Sequence, residues 1–197
     1  MRDDVSGIVL AGGNSSRFKT DKALLKWDGE PLLLRQVRLL KSLLEEVIVA
    51  GGKRRRVDGA IAVEDLIKGK GPLGGIHAGL KASSNDYNLI IPCDLPFLRG
   101  EVLSMLLDEI DGRSWVILPV VRGYVEPLVG VYHRGCLPHI EELLKSDRLK
   151  VTELLSLVPF KLIPEERVLR VDPDLRSFFN LNTPRDYRRA LAMKGAG

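Results

Sequence analysis

The chain has 197 residues, of which 45% are hydrophobic and 28% charged, so its composition is that of a folded protein with a core. A membrane-spanning helix needs about 20 apolar residues, and no apolar run in the chain approaches that length. No signal-peptide segment follows Met1, so we expect a cytoplasmic protein without a membrane partner. The net charge of +4 suits an anionic ligand, but no basic helix with interleaved aromatic residues indicates a nucleic-acid partner. The two cysteines, Cys93 and Cys136, lack metal-ligand spacing, and we expect both to be structural thiols.

The first apolar run is followed by a segment with the composition of a phosphate-binding loop. Residues 8–10 are continuously apolar and predict a buried strand, which Gly12 and Gly13 end. Arg17 and Lys22 then bring cations into the loop. Backbone N–H groups and cations at the carboxyl end of a strand suit a polyphosphate. Neither the dinucleotide fingerprint nor the Walker A pattern is present, so a glycine turn with a solvated basic tip stays open as an alternative.

Apolar runs and helical periodicities alternate along the rest of the chain. Further strands are predicted at residues 47–50, 61–63, 115–120, 126–132 and 168–171, and another begins near Asn88 and runs into the sequence C-D-L-P. Helices are predicted at residues 32–44, 103–110, 137–145, 151–157 and 185–193, and one more opens at G-P-L-G-G. Trp27 is interpreted as packing a short hairpin against the helix at 32–44, and the charge run at 53–56 as a solvated loop.

This alternation predicts an α/β fold with a mainly parallel sheet covered by helices on both faces. The strand–turn–strand pattern around Arg122 and Gly123 predicts an antiparallel element within that sheet. No linker or repeat interrupts the pattern, so we expect one domain over residues 1–197.

Two more segments carry chemistry. The glycines of G-P-L-G-G allow a helix N-terminus to approach a ligand closely, and Asp65 precedes this turn. Asp94, in C-D-L-P, ends a central strand, where open α/β sheets bind ligands. We interpret Asp94 as a metal ligand rather than a cap of the next helix, and His77 as a core residue. Together with the cationic loop, a carboxylate able to hold Mg²⁺ is what phosphoryl or nucleotidyl transfer requires.

The motifs L-A-G-G-N-S-S-R-F, D-K-A-L, G-P-L-G-G-I, C-D-L-P-F, E-P-L and N-L-N-T-P, in this order, resemble the molybdenum cofactor guanylyltransferase family, the molybdopterin-guanine dinucleotide biosynthesis protein A type, within the nucleotidyltransferase superfamily. The resemblance implies a Rossmann-like three-layer sandwich of the nucleotide-diphospho-sugar transferase kind. It also implies the transfer of GMP from GTP to the phosphate of the molybdenum–molybdopterin cofactor, with release of pyrophosphate and help from Mg²⁺.

The resemblance also implies roles for individual residues. Asp94 would hold Mg²⁺, Arg17 and Lys22 would contact the triphosphate, and Asp65 would bind the nucleotide. The remaining binding residues implied are Leu10, Ala11, Gly12, Gly13, Gly74, Asn180 and Asn182. Molybdoenzymes or cofactor-insertion proteins would be the protein partners.

The sequence departs from the family pattern at two places. Phe18, Lys19 and Thr20 follow Arg17 where relatives commonly have Met-Gly, and Gly51 and Gly52 stand where the family has a polar residue. Other hypotheses are transfer with CTP or another nucleotide, to molybdopterin or to a sugar, cobinamide or lactyl phosphate, and a non-catalytic nucleotide or cofactor carrier.

Overall fold

A mixed sheet of eight strands forms the middle layer of the protein. The computed structural model describes residues 1–12, 24–51, 57–67 and 69–194. Its strands are β1 (Arg2–Leu10), β2 (Lys26–Trp27), β3 (Glu30–Pro31), β4 (Leu44–Ala50), β5 (Ile61–Val63), β6 (Tyr87–Pro92), β7 (Val116–Val121), β8 (Tyr124–Val125), β9 (Gly130–His133) and β10 (Phe160–Ile163). The sheet has the order β10-β7-β9-β6-β1-β4-β5, with β8 paired to β7, and β2 and β3 form a separate hairpin.

Helices cover both faces of this sheet. They are α1 (Leu32–Lys41), α2 (Gly71–Ala82), α3 (Gly100–Asp108), α4 (Leu137–Lys145), α5 (Glu165–Leu169) and α6 (Pro184–Lys194). Apolar residues of α1, α3 and α5 form one core with the sheet, and those of α2 and α4 form the other. The predicted three-layer α/β architecture is therefore confirmed.

The central strands run parallel. β1 pairs in parallel with β4 on one side and β6 on the other, and β5 extends the parallel set beyond β4. β9 is antiparallel to both β6 and β7, which confirms the predicted antiparallel element. Leu10 pairs with Ala50 in β4 and with Pro92 in β6, so these three strands end level with one another. The loops that follow them consequently meet at one edge of the sheet.

Several predicted elements differ from the structure in extent or in kind. The helix predicted at 103–110 is α3, Gly100–Asp108, which begins and ends earlier. The helix predicted at 32–44 ends at Lys41, because the buried Leu44 already belongs to β4. The strand predicted at 126–132 is regular only from Gly130, and the residues before it leave the ladder. The strand predicted at 168–171 is instead the end of α5, whose Val168 is its one buried residue, and the late strand is β10. The short helix predicted at 151–157 is a 3-10 helix, Val151–Ser156.

The C-terminal helix packs on the β2–β3 hairpin through Trp27. Its indole is 2% exposed and makes edge-to-face contacts with Phe97 and Tyr187. Trp27 is therefore a packing residue, as predicted, but its ring contacts are with α6 and the loop after β6, and of α1 only Leu32 shares its apolar cluster. Thr183 caps α6, since its Oγ1 accepts a hydrogen bond of 3.2 Å from the Asp186 backbone, and the Asp186 carboxylate accepts one of 2.8 Å from the Thr183 N–H. This reciprocal capping fixes where the C-terminal helix begins.

Within the described residues, no helix has the length and apolar character to cross a membrane. Cys93 and Cys136 are both buried, as expected for structural thiols.

A partly buried polar network lies toward the amino end of the central strands. The carboxylate of Glu46, on β4, accepts hydrogen bonds from the Ser6 hydroxyl and from the backbone and hydroxyl of Ser84. Ser83 adds a longer hydrogen bond of 3.5 Å. Burial alone would raise the pKa of Glu46, but these donors outweigh it and lower the pKa below its ordinary value of 4.5. The charged carboxylate therefore ties β1 and the end of α2 to β4.

Because the pKa of Glu46 is lowered in the folded state, its stabilising effect is present above pH 4.5 and is lost as the pH falls through the folded pKa. We expect Glu46→Gln to cost about 1–2 kcal/mol at pH 7, and the deficit to shrink below pH 4. Urea unfolding of both proteins at pH 7 and pH 3.5 measures this. Glu45→Gln, at the neighbouring exposed position, is the matched control. An equal deficit at the two pH values would contradict the account.

Candidate functional site

The loop after β1 starts at the carboxyl edge of the sheet, between two neighbouring strands. The Ala11 N–H donates to the carbonyl of Ala50 at 2.8 Å, and the Cys93 N–H donates to the carbonyl of Leu10 at 3.1 Å. Leu10 is buried, Ala11 is half-buried and Gly12 is exposed. The chain thus passes from the core to the surface within three residues, which leaves the backbone of Gly12 accessible from solvent.

Gly51, directly after β4, touches this turn. Its φ of +93° lies in the left-handed region, and a Cβ at position 51 would be 2.9 Å from the Gly12 nitrogen. The N–H of Gly51 donates to the carbonyl of Val63 at 3.2 Å, so the turn is also tied to β5. A side chain at position 51 would therefore push the first loop away.

Asp65 lies at the same edge, two residues after β5. Its side chain is half-buried, and its Oδ1 atom is turned inward. A Cβ atom added to Gly51 would lie 3.3 Å from this oxygen, and one added to Gly75 would lie 3.8 Å from it. Asp65 therefore borders the turns after β1 and β4 and the first turns of α2. The structure brings together Asp65 and the Leu10–Gly12 segment, as the sequence predicted.

The N-terminus of α2 completes this side of the site. A Cβ at Gly75 would lie 3.2 Å from Leu10 Cδ2, and one at Gly79 would lie 2.6 Å from Ile8 Cγ2, so glycines let α2 pack closely on β1. Among the described residues no side chain caps α2, and its first backbone N–H groups lack partners within the helix. Gly74, the predicted binding residue, faces Lys70, whereas the neighbouring Gly75 is the one that faces Asp65.

Asp94 follows β6 at this edge, in a loop that two other segments hold. Its carbonyl accepts a hydrogen bond of 3.0 Å from the Leu181 N–H. The next two carbonyls of the loop accept from α1: Leu95 from Gln36 Nε2 at 2.7 Å, and Pro96 from Arg35 Nε at 3.1 Å. Helix α3 begins at Gly100, and its N-cap residue is Arg99, five residues after Asp94.

The hydrogen bond to Leu181 also brings the N-x-N-T-P segment beside Asp94. Leu181 is fully buried, while Asn180 is half-buried and Asn182 is exposed. The backbone N–H of Asn182 donates to Asp186 at 3.1 Å, which ties it to the capped start of α6. The two predicted asparagines therefore flank the residue that anchors the Asp94 loop.

Other predicted residues lie outside the described part of the chain. They are Gly13, Arg17 and Lys22, together with the divergent residues 18–20 and the charge run at 53–56. Their roles remain predictions.

Two residues of the site were missed by the sequence analysis. Gln36 is fully buried on the apolar face of α1, and a polar residue at that place in the helical pattern was the available signal.

Glu126 belongs to the E-P-L motif, but no role was assigned to it. Burial of its side chain, followed by the negative charge of Asp94, raises the pKa of Glu126, so the two carboxylates are close enough to repel each other.

Carboxylate oxygens are ligands that a hard divalent cation prefers, and Asp94 supplies a carboxylate at this edge of the sheet. Across the described residues, no group of three or more histidine, cysteine, aspartate or glutamate side chains could hold a metal. At phosphate-transfer sites, Mg²⁺ is typically bound by one or two protein carboxylates. Substrate phosphates and water supply its remaining ligands.

His77 has a structural environment. It is 3% exposed on α2, and its Nε2 lies 3.1 Å from a carboxylate oxygen of Glu141 on α4. This contact joins two helices on one face of the sheet, in agreement with the interpretation of His77 as a core residue.

Comparison with known proteins extends these observations. Residues 7–157 match the family model of the MobA-like NTP transferase domain. A probable molybdenum cofactor guanylyltransferase of Pelotomaculum thermopropionicum is 38% identical over 192 residues, which cover 95% of this chain and 92% of that protein. The molybdenum cofactor guanylyltransferase of Desulfosudis oleivorans is 35% identical over 99% of this chain and 98% of that protein.

Solved structures agree with this assignment. The molybdopterin-guanine dinucleotide biosynthesis protein A of Archaeoglobus fulgidus superposes with a TM-score of 0.84 at 25% identity, covering 98% of this chain and all of that one. The 2-C-methyl-D-erythritol 4-phosphate cytidylyltransferase of Thermus thermophilus shares the fold, with a TM-score of 0.69 at 20% identity over 96% of this chain and 98% of that one. From its sequence and its fold, the chain belongs to the MobA-like NTP transferase family of nucleotidyltransferases.

Proposed function

We propose that this protein transfers GMP from GTP to the phosphate of the molybdenum–molybdopterin cofactor, forming the guanine dinucleotide cofactor and pyrophosphate. The observation that carries the proposal is the meeting of the Leu10–Gly12 turn, Asp65, the start of α2 and Asp94 at one edge of the sheet, in a chain whose full-length relatives are named for this reaction.

The nucleotide would occupy the side of the site formed by β1, β4 and β5. Leu10, Ala11, Gly12 and Gly13 would meet it through the backbone, with Asp65 accepting hydrogen bonds from the nucleoside. Uncapped N–H groups at the start of α2 and the charges of Arg17 and Lys22 suit the triphosphate, since an anion is stabilised by a helix N-terminus and by cations. Close packing of Gly75 on Leu10 supports this arrangement, because it brings the helix start to the strand end.

The acceptor would approach from the side of Asp94, Asn180 and Asn182. An oxygen of its terminal phosphate attacks the α-phosphorus of GTP, a new P–O bond forms, and the bond to the β-phosphate oxygen breaks with its electron pair leaving on pyrophosphate. Both reactants are anions, so the main work of the protein is to hold them together in line and to neutralise their charge. Mg²⁺, bound at Asp94, would supply further neutralisation of the phosphate oxygens.

The activity is tested by measuring pyrophosphate release with GTP, ATP, CTP and UTP, each with and without the molybdenum cofactor. We expect release with GTP in the presence of the cofactor, and little with any nucleotide alone. A preference for CTP would contradict the guanylyl specificity. Nucleotide binding without any release would contradict catalysis and favour the carrier hypothesis.

The role of Asp94 is tested by Asp94→Asn, which keeps the shape of the side chain and removes its charge. We expect turnover to fall by about 100-fold or more, because charge stabilisation in the transition state is lost. Asp108→Asn, on the exposed end of α3, is the matched control and should behave as wild type. Wild-type turnover in Asp94→Asn would remove the proposed metal from this residue.

A further inference from the structure

The loop between β6 and α3, here called the Asp94 loop, is held near both of its ends by one short segment. This segment is residues 177–181, here called the strap. The Leu181 N–H donates to the carbonyl of Asp94 at 3.0 Å. The Arg99 N–H, at the other end of the loop, donates to the Ser177 hydroxyl at 3.2 Å. The strap therefore spans the loop from the end of β6 to the start of α3.

An aromatic contact joins the same two segments between these hydrogen bonds. The rings of Phe97, in the loop, and Phe179, in the strap, meet edge to face with their centroids 6.2 Å apart. This contact lies between the two hydrogen bonds in both segments, so the strap runs antiparallel to the loop. The strap and the Asp94 loop therefore pack together along their length, and a displacement of one would be transmitted to the other.

Asp172 binds the junction at which the strap meets the start of α3. Its carboxylate is fully buried, and its Oδ2 accepts a hydrogen bond of 2.8 Å from the Ser177 N–H. Its Oδ1 lies 3.7 Å from Nε of Arg99, which is within ion-pair distance. One carboxylate thus contacts the first residue of the strap and the last residue of the loop. Because a buried carboxylate is costly without such partners, Asp172 favours the arrangement that keeps both segments beside it.

The backbone between Asp172 and the strap forms a turn with an unfavourable conformation at its centre. The Leu175 N–H donates to the carbonyl of Asp172 at 3.0 Å, and the φ of Leu175 is +52°, in the left-handed region that leucine rarely adopts. A 3-10 helix, Arg176–Phe178, follows directly. Such a conformation persists only where the surrounding structure holds it, and positions of this kind cluster at functional sites. The turn brings the Ser177 N–H back to the Asp172 carboxylate.

Resting on the proposed function, we infer that Asp172 is a positioning residue for nucleotidyl transfer, which acts by joining the strap to the Asp94 loop. The strap contains Asn180 and is followed directly by Asn182, and both are assigned to the acceptor side of the site. The loop carries Asp94, which is assigned to the metal. Asp172 therefore fixes the acceptor-binding residues relative to the metal-binding carboxylate. In-line attack depends on this distance, since a small misplacement of reacting groups lowers the rate.

The test compares the turnover and the GTP affinity of Asp172→Asn and Ser177→Ala with those of the wild-type chain. Asp172→Asn keeps the shape of the side chain and removes its charge, and Ser177→Ala removes the acceptor of the Arg99 N–H. We expect each to lower turnover at saturating GTP and molybdenum cofactor about tenfold. The dissociation constant for GTP, measured by calorimetry without acceptor, should stay unchanged, because β1, β4 and β5 form the nucleotide side. Asp174→Asn, exposed on the same turn, is the matched control and should behave as wild type.

Hydrogen exchange of backbone amides, followed by nuclear magnetic resonance, tests the geometry without activity. The Leu181 amide, which is hydrogen-bonded to the Asp94 carbonyl, should exchange about tenfold faster in both variants. The Ala11 amide, on the nucleotide side, should exchange as in the wild type. Wild-type exchange at Leu181 in both variants would contradict the inference, because the strap would then hold the loop without Asp172.

The outcomes separate the inference from the proposed function. Wild-type turnover in Asp172→Asn would overturn the role of Asp172 and leave the proposed function standing. An equal loss of turnover and GTP affinity would also contradict the inference, because it would indicate a general loss of structure rather than a displaced loop. Absence of transfer by the wild type would overturn the proposed function, and the inference with it. If Asp172→Asn does not fold, as judged by circular dichroism, the same criteria apply to Ser177→Ala.

Discussion

The parallel pairing of β1 with β4 on one side and β6 on the other is the constraint on which the rest of the site depends. Because Leu10 pairs with both Ala50 and Pro92, the three strands end level, and their loops must meet above the same edge. The glycines then set how closely these loops approach. Gly51 abuts the backbone of Gly12, and Gly75 abuts Leu10, so a helix start and two strand ends share one small volume.

The opposite half of the site depends on a different set of contacts, which come from far along the chain. The hydrogen bond from Leu181 to the carbonyl of Asp94 joins the C-terminal segment to the end of β6. Gln36 and Arg35, on α1, hold the two carbonyls that follow. Asp94 is therefore placed by a loop whose backbone is held by two other segments, which limits the rearrangement that ligand binding has to drive.

Much of this arrangement could be predicted from the sequence, because its strongest elements are those with continuous apolar runs. Residues 8–10 and 47–50 have the composition of buried parallel strands, and both are strands in the structure. Asp65 and Asp94 could be located because each comes two residues after the end of a strand. The family resemblance indicated that these segments surround one site. The fold and the relatives agree with the family that the resemblance named.

The features that escaped prediction depend on pairing between distant strands. Residues 126–132 have the apolar character of one strand, and only their register against β7 reveals three extra residues that leave Glu126 outside it. Likewise, the apolar residues around Val168 fit a short helix as well as a short strand, and contact with the core decided between them. That residues 1–197 act as a single nucleotidyltransferase domain stays a prediction.

The most direct test of the central claim is a crystal structure with GTP and Mn²⁺, with the metal located by its anomalous scattering. The account predicts an anomalous peak at Asp94, with the triphosphate lying between the Leu10–Gly12 turn and the start of α2. A triphosphate bound elsewhere on the protein, or a metal peak away from Asp94, would contradict it.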